Sequence, residues 1–329
     1  MVHAAIKAIE YYLPSTVLSN EQLALEFPDF PAEKIYEKTG IRERHVSDSN
    51  EFASDMAISA AMRLFENNPG AKKSVDFVLF CTQTPDYLLP TSACIIQDKL
   101  GLPAATGAMD FNLGCSGFVY GLSIAKGLIE SQQARNVLLL TADTYTKLLE
   151  KSDKSVRTIF GDGAAATLIS GVEHAEPCIS PVLYGTNGAG WSNLCVRGRG
   201  IRYHDATDAD PFLRMHGTEI FSFTLDAVPA SIHELLSREQ LCLDDIDLFV
   251  FHQANHYMLE HLRKKIGIPA DKFFVAMDFC GNTVSSSIPI ALREAQRRQA
   301  LSGCRKIMLV GFGVGYSWAA CIIDGEYIG

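Results

Sequence analysis

Runs rich in valine, isoleucine, leucine and phenylalanine alternate with amphipathic segments along the whole chain. Short continuous apolar runs are the pattern of strands buried on both faces. They predict strands at 75–81, 107–112, 136–141, 164–170, 246–251, 272–279, 306–310 and 319–323. Phe118, Leu122, Ala125 and Ile129 recur at the spacing of one helical face and predict a helix from about Ser116. Asn255, Leu259, Leu262 and Ile266 mark a second such stripe. Strands alternating with helices imply an α/β protein with buried sheets.

The two halves of the chain repeat this pattern in the same order. "VDFVLFCTQT" from Val75 resembles "IDLFVFHQAN" from Ile246, an offset of 171, and "RNVLLLT" from Arg135 resembles "RKIMLVG" from Arg305, an offset of 170. "DFNLGC" from Asp110 lies against "DFCGNT" from Asp278, an offset of 168, and "AATLI" from Ala165 against "AACII" from Ala319, an offset of 154. Any one pair is what two buried strands have in common. Four pairs in order, three at nearly constant offset, favour a duplicated α/β unit. The boundary is placed in "SGVEHAEP", dividing the chain into 1–174 and 175–329.

Length and composition narrow the class. At 329 residues, 47% hydrophobic and 20% charged, the chain has the make-up of a soluble globular protein. No apolar run is long enough to span a membrane, and Lys7 and Glu10 interrupt the first one, so a cytoplasmic protein without a membrane partner is expected. The net charge of -9 argues against general nucleic-acid binding. Nine scattered cysteines, none paired at C-x-x-C spacing, read as reduced thiols.

Cys115, His252 and Asn282 each follow the end of a predicted strand, where open α/β sheets bind ligands. Cys115 lies between Gly114 and Gly117 at the predicted helix start, a position whose free N–H groups favour thiolate and lower a cysteine pKa. From the residues alone it is either a nucleophile or a small core residue. His252 is equally readable as a hydrogen-bonded structural imidazole. With His256 four residues on, it suggests zinc, but H-E-x-x-H chemistry needs a glutamate where Gln253 stands, so no metal is expected. Asn282, in "GNTVSSSIP", also reads as an ordinary turn residue. "GFGVG" from Gly311 is followed by another strand rather than a helix, which excludes a phosphate-cradling loop.

Seven segments in order resemble the ketoacyl synthase III family. They are "TGIRERH" from Thr39, "TQTPDYLLPTSACIIQDKLGL" from Thr82, the cysteine motif, "FGDGAAATL" from Phe160, "FHQAN" from Phe251, "GNTVSSSIP" from Gly281 and "GFGVGYSW" from Gly311. The resemblance implies a thiolase-like five-layer αβαβα sandwich of two duplicated halves. It also implies a Cys-His-Asn triad on Cys115, His252 and Asn282, and oxyanion amides at Cys115 and in the Gly313 to Gly315 loop, on Gly313 and Val314. The implied reaction transfers an acyl group from acyl-CoA or an acyl carrier protein to the cysteine, then condenses it decarboxylatively with malonyl-acyl carrier protein. No cofactor beyond those thioester substrates is implied.

Family members are homodimers in which the loop matching 85–90 reaches the partner's pocket, which makes Leu89 a candidate acyl-site wall. The tryptophan and arginine that hold the adenine of coenzyme A in the family fall here on Lys34 and Lys38. A phosphate-side arginine falls near Lys154, and another on Tyr257. Lysine binds phosphate but does not stack on a purine as guanidinium or indole does, so an acyl-carrier donor stands beside coenzyme A. Val314 replaces a residue that is commonly glycine or alanine. Arg263, Lys264, Lys265 and Lys272 form either a docking patch for the acidic carrier or a solvated face. The rival functions are acyl transfer to a hydroxyl or amine, a non-catalytic thiolase-fold subunit, and a zinc hydrolase.

Overall fold

The computed structural model describes residues 1–203 and 209–328. Ten strands form two five-stranded sheets. Across the first sheet the strands run Val2–Tyr12, Gly163–Glu173, Asn136–Asp143, Phe77–Cys81, Gly107–Phe111. Across the second they run Leu183–Thr186, Ser317–Asp324, Lys306–Gly313, Leu248–Phe251, Phe273–Phe274. In both sheets the first two pairings are antiparallel and the last two parallel. The sheets therefore share both strand order and direction; three of the matched segment pairs occupy equivalent strands, and the fourth, 110–115 with 278–283, falls mainly in the loops that follow equivalent strands.

Three helical layers separate and cover the sheets. Helices Gly117–Glu130 and Ser287–Arg297 lie between them, where Phe118, Leu122, Ala125 and Ile129 meet Ile288, Ala291 and Leu292 in one buried cluster. Enclosing each large side chain of that stripe contributes roughly 1.5–3 kcal/mol. Helices Ala53–Asn67 and Ser92–Lys99 cover the outer face of the first sheet. Helices Gly217–Arg238 and His256–Ile266 cover that of the second. The result is the five-layer αβαβα order that the resemblance implied.

Two strands of these sheets were not expected, nor were the two small two-stranded sheets, Thr16–Ser19 with Glu43–Val46 and Leu194–Val196 with Leu213–Met215, and one expectation was too long. Val2–Tyr12 is an eleven-residue strand. Its Glu10 is held by Arg293 at 2.6 Å and Asn67 at 2.8 Å, so the charge that interrupts the apolar run is paired within the fold. Leu183–Thr186 is a four-residue edge strand. The run 272–279 yields only Phe273–Phe274. Beyond it the chain stays buried at Ala276 and Met277, but the Ala276 N–H donates to Gln253 Oε1 at 2.8 Å instead of to a neighbouring strand. Among the described residues no helix is long and apolar enough to cross a membrane.

Candidate active site

Three loops converge because they leave the same ends of equivalent parallel strands. Cys115 lies in the turn between strand Gly107–Phe111 and helix Gly117–Glu130. His252 directly follows strand Leu248–Phe251, and its N–H donates to the Val310 carbonyl at 2.8 Å. Asn282 follows strand Phe273–Phe274 in the other half's counterpart of the cysteine loop. All three line a cavity of about 380 Å³ whose walls include Phe160, Leu194, Met215 and Phe312.

Glycines allow this approach. A Cβ on Gly313 would lie 2.9 Å from both Cβ and Sγ of Cys115, so only glycine lets strand Lys306–Gly313 pass the sulfur. A Cβ on Gly114 would lie 2.6 Å from Gln83 Oε1 and from Val314 Cγ1. The valine that departs from the family pattern is therefore packed against the turn that bears Cys115. Gly313 supplies the close approach, whereas the amide that favours charge on the sulfur, together with that of Cys115 itself, belongs to Val314.

The hydrogen bonds define the state of the imidazole. Asn282 Oδ1 accepts the Val284 N–H at 2.9 Å, which turns the amide NH₂ toward His252 Nε2, 3.4 Å away, and the Ala254 carbonyl, also 3.4 Å away. An NH₂ group donates, so this network assigns the lone pair to Nε2 and the hydrogen to Nδ1. Nδ1 then donates to Ser287 Oγ at 2.7 Å. Burial lowers the His252 pKa to about 3, which keeps the ring neutral.

Cys115 departs from the sequence expectation. Burial, and after it the Asp143 carboxylate, raises its pKa to about 12, against the pull of the Cys115 and Val314 backbone N–H groups. The helix-start effect is present in those amides, but desolvation of the enclosed sulfur outweighs it. The resting group is a thiol, and its proton needs an acceptor. The neutral Nε2 of His252, in the same cavity, has the lone pair to take it.

Two residues of this site were not among the sequence candidates. Ser287 fixes the imidazole, and its hydroxyl also accepts the Gln253 N–H at 3.3 Å. Asp143 accepts the Gln83 N–H at 2.7 Å and the Ser285 hydroxyl at 3.1 Å, which ties the Asn282 loop to the segment beside Gly114. Burial raises the Asp143 pKa to about 7. Ser287 lies within "GNTVSSSIP" and Asp143 ends strand Asn136–Asp143, but the burial and bonding that give them a role are not legible in sequence.

Lys34, Lys38, Lys154 and Tyr257, from three separate segments, line a second cavity of about 550 Å³. The three ammonium groups lie 5.6, 5.3 and 5.8 Å from the centre of the Phe30 ring. Lys154 also pairs with Asp29 at 2.5 Å. Ile159, Asn255 and Tyr257 line both cavities, so this lysine-rimmed mouth adjoins the inner one.

The remaining candidates lie elsewhere. Leu89 is 82% exposed on a loop with Tyr87 and Leu88, and does not line the cavity of its own chain. Arg263 is engaged by Glu260 at 2.9 Å and the Ile268 carbonyl at 3.0 Å. Lys272 donates to the carbonyls of Asp244 and Ile246 at 2.9 and 2.8 Å. Lys264 and Lys265 are paired more loosely, with Glu260 at 3.8 Å and Asp226 at 3.5 Å, and are the more exposed members of the suggested patch. For the His252 and His256 pair, among the described residues there is no group of three or more histidine, cysteine, aspartate or glutamate side chains that could hold a metal ion.

A duplicated five-layer α/β sandwich with cysteine, histidine and asparagine on one cavity defines the class as a thiolase-fold enzyme. The profile described as "3-Oxoacyl-[acyl-carrier-protein (ACP)] synthase III" matches residues 109–188, and that of the same synthase's C terminal matches residues 236–324. A beta-ketoacyl-[acyl-carrier-protein] synthase III of Clostridium perfringens is 35% identical over 327 residues, covering 98% of this chain and 99% of that one. A crystal structure of a 3-oxoacyl-(acyl-carrier-protein) synthase III superposes with a TM-score of 0.96 at 49% identity, covering 98% of this chain and 99% of that one. A synthase structure from Burkholderia xenovorans LB400 follows at 0.92 and 32%, covering 99% and 95%. The chain belongs to the 3-oxoacyl-[acyl-carrier-protein] synthase III family.

Proposed function

We propose that this enzyme is a 3-oxoacyl-[acyl-carrier-protein] synthase III, which condenses a cysteine-bound acyl group with malonyl-acyl carrier protein in fatty-acid or related acyl-chain synthesis. The observation that carries the reading is the neutral His252 and Asn282 NH₂ group beside Cys115 in one cavity. In the first half-reaction Cys115 Sγ attacks the donor thioester, and its proton passes through His252 Nε2 to the departing thiol. This step needs Nε2 as acceptor, the tautomer assigned above.

The second half-reaction needs donors. Loss of carbon dioxide from the malonyl thioester leaves its bonding electrons as an enolate, whose oxygen takes hydrogen bonds from Asn282 Nδ2 and His252 Nε2. For Nε2 to donate, the ring gives up its Nδ1 proton and takes one at Nε2 by exchange with solvent between the half-reactions, after which Nδ1 accepts from the Ser287 hydroxyl, which can turn from acceptor to donor. The enolate carbon attacks the Cys115 acyl carbonyl, and the new oxyanion lies against the amides of Cys115 and Val314. Collapse expels the Cys115 thiolate, which takes up a proton, and releases the 3-oxoacyl product.

The donor's phosphate belongs at the Lys34, Lys38 and Lys154 mouth, on a coenzyme A or carrier-protein handle, with Lys264 and Lys265 as further contacts for an acidic carrier. The free edge of strand Gly107–Phe111, with exposed Tyr87, Leu88 and Leu89, supports a homodimer in which Leu89 walls the partner's acyl site. The division into halves 1–174 and 175–329 is supported by sheets drawn from 2–173 and 183–324. The absence of membrane-length helices among the described residues is consistent with the cytoplasmic location we infer. Carbon dioxide release from malonyl-carrier, measured beside self-acylation, tests the reading. Self-acylation without decarboxylation would instead mark an acyltransferase to hydroxyl or amine acceptors.

A further inference from the structure

Arg44 is among the largest side chains that the fold encloses completely. No carboxylate pairs with it among the described residues. Its Nη1 donates to the Leu18 carbonyl at 3.1 Å and to Asn20 Oδ1 at 2.8 Å, its Nη2 donates to the Thr158 carbonyl at 3.0 Å, and its Nε finds no partner. A guanidinium taken out of water without a counter-charge is costly. Burial, with Arg157 nearby, lowers its pKa to about 10, so it remains a cation at neutral pH.

What the side chain grips leads to Asn282. Thr158 precedes Ile159, whose carbonyl accepts the Asn282 N–H at 2.9 Å, and the Asn282 carbonyl accepts the Gly161 N–H at 3.1 Å. Phe160 and Asn282 form a parallel bridge. The Arg44 stem fills the space beside both glycines: a Cβ on Gly161 would lie 3.0 Å from Arg44 Cβ, and one on Gly281 would lie 3.2 Å from it. One residue thus bonds the segment that carries Asn282's backbone partners and packs against the glycine that precedes Asn282.

We propose that Arg44 is a positioning residue for the condensation: it clamps the 158–161 segment and so sets the Asn282 amide against His252 without touching substrate. The inference rests on the condensation reading above. Asn282 Nδ2 reaches its two partners at 3.4 Å, close to the limit of a hydrogen bond, so a small shift of the loop breaks both contacts. The Cys115 turn meets the clamped segments at Ser285 and Phe160, but it is also held by Gln83, Val314 and Gly313, which Arg44 does not touch. The two half-reactions therefore respond differently to loss of the clamp.

Arg44→Lys keeps the charge and loses the planar fork, and Arg44→Met keeps the stem and loses the charge. Each is compared with wild type in three measurements: self-acylation of Cys115 by intact mass, carbon dioxide release from malonyl-carrier, and hydrogen–deuterium exchange. The clamp predicts self-acylation within about threefold of wild type and decarboxylation lowered about tenfold or more. It also predicts faster exchange at 280–286 with exchange at 115–122 unchanged. Equal loss of both half-reactions, or unchanged exchange at 280–286, would overturn it. Should both variants unfold, exchange at 280–286 in Asn20→Ala, which removes one of the guanidinium's acceptors, reads the clamp instead. Because exchange needs no substrate, failure of wild type to decarboxylate would remove the condensation reading while the clamp is still judged.

Discussion

The inner cavity and the lysine-rimmed mouth adjoin, yet they are built in opposite ways. Inside, Cys115, His252 and Asn282 are buried, each follows a strand end, and the imidazole and amide have hydrogen-bond partners that fix their orientation. At the mouth, Lys34, Lys38 and Lys154 stand around one ring, and among the described residues only Lys154 has a carboxylate partner, itself exposed. Enclosure moves pKa values by several units and makes geometry matter on the scale of tenths of an ångström. Exposure leaves charge and reach as what the mouth offers a substrate. Under the proposed function, the interior decides which reaction occurs, and the mouth decides how well a donor's handle is held.

The sharpest break of that contrast is Asn282→Ala. Decarboxylation of malonyl-carrier is expected to fall about 100-fold or more, with self-acylation within about fivefold, because only the enolate needs the second donor. Stopped-flow carbon dioxide release beside intact-mass acylation measures both, and equal losses would contradict the division of labour. Ser287→Ala should lower decarboxylation about tenfold by freeing the imidazole to turn, while leaving donor KM unchanged. A change confined to KM would contradict the orienting role.

Next in size is an effect on stability. The His252 pKa falls to about 3 from 6.5, so the unfolded chain takes up this proton first, and stability present above pH 6.5 is lost as pH falls toward 3. Asp143 does the reverse. Its pKa rises to about 7 from 3.8, so its contribution is present below pH 3.8 and lost as pH rises through 7. The two offset each other between those limits. Asp143→Asn removes one side, and its unfolding free energy should fall with acidification more steeply than wild type, by on the order of 1 kcal/mol per pH unit. Urea unfolding at pH 7, 6 and 5 reads the slopes, and parallel slopes would contradict the assignment.

The smallest effect belongs to the mouth. Lys34→Ala combined with Lys38→Ala should raise donor KM about three- to tenfold at low salt, less at high salt, with kcat and Tm unchanged. A comparable loss of kcat would mean that the mouth does more than hold a phosphate. Running the series with coenzyme A and carrier donors in parallel shows which handle the lysines serve.

Legibility follows the same division. The parallel strands, the Phe118 to Ile129 stripe and the paired halves were readable because burial on both faces leaves an uninterrupted apolar signature. That Cys115, His252 and Asn282 share one cavity was readable because strand ends, glycines and motifs coincide at them. Strand Val2–Tyr12 was hidden by Lys7 and Glu10, whose environment only the fold reveals. The run 272–279 misled because an apolar segment can be buried with its backbone bonded to a side chain, as Ala276 is to Gln253. The raised Cys115 pKa was out of reach for a related reason. The helix start is written in the sequence, but the enclosure that outweighs it comes from residues as distant as Gly313 and Asp143. Arg263 and Lys272 looked like a free basic face because the carbonyls and carboxylate that occupy them leave no mark on charge spacing.

The central claim is that the sulfur of Cys115 carries the acyl group. Wild type and Cys115→Ala incubated with acyl-CoA and acyl-carrier donors, followed by intact-mass and peptide mapping, test it directly. The account predicts one acyl addition on the peptide bearing Cys115 and none in Cys115→Ala. An adduct that persists in Cys115→Ala, or that maps to another residue, would contradict it.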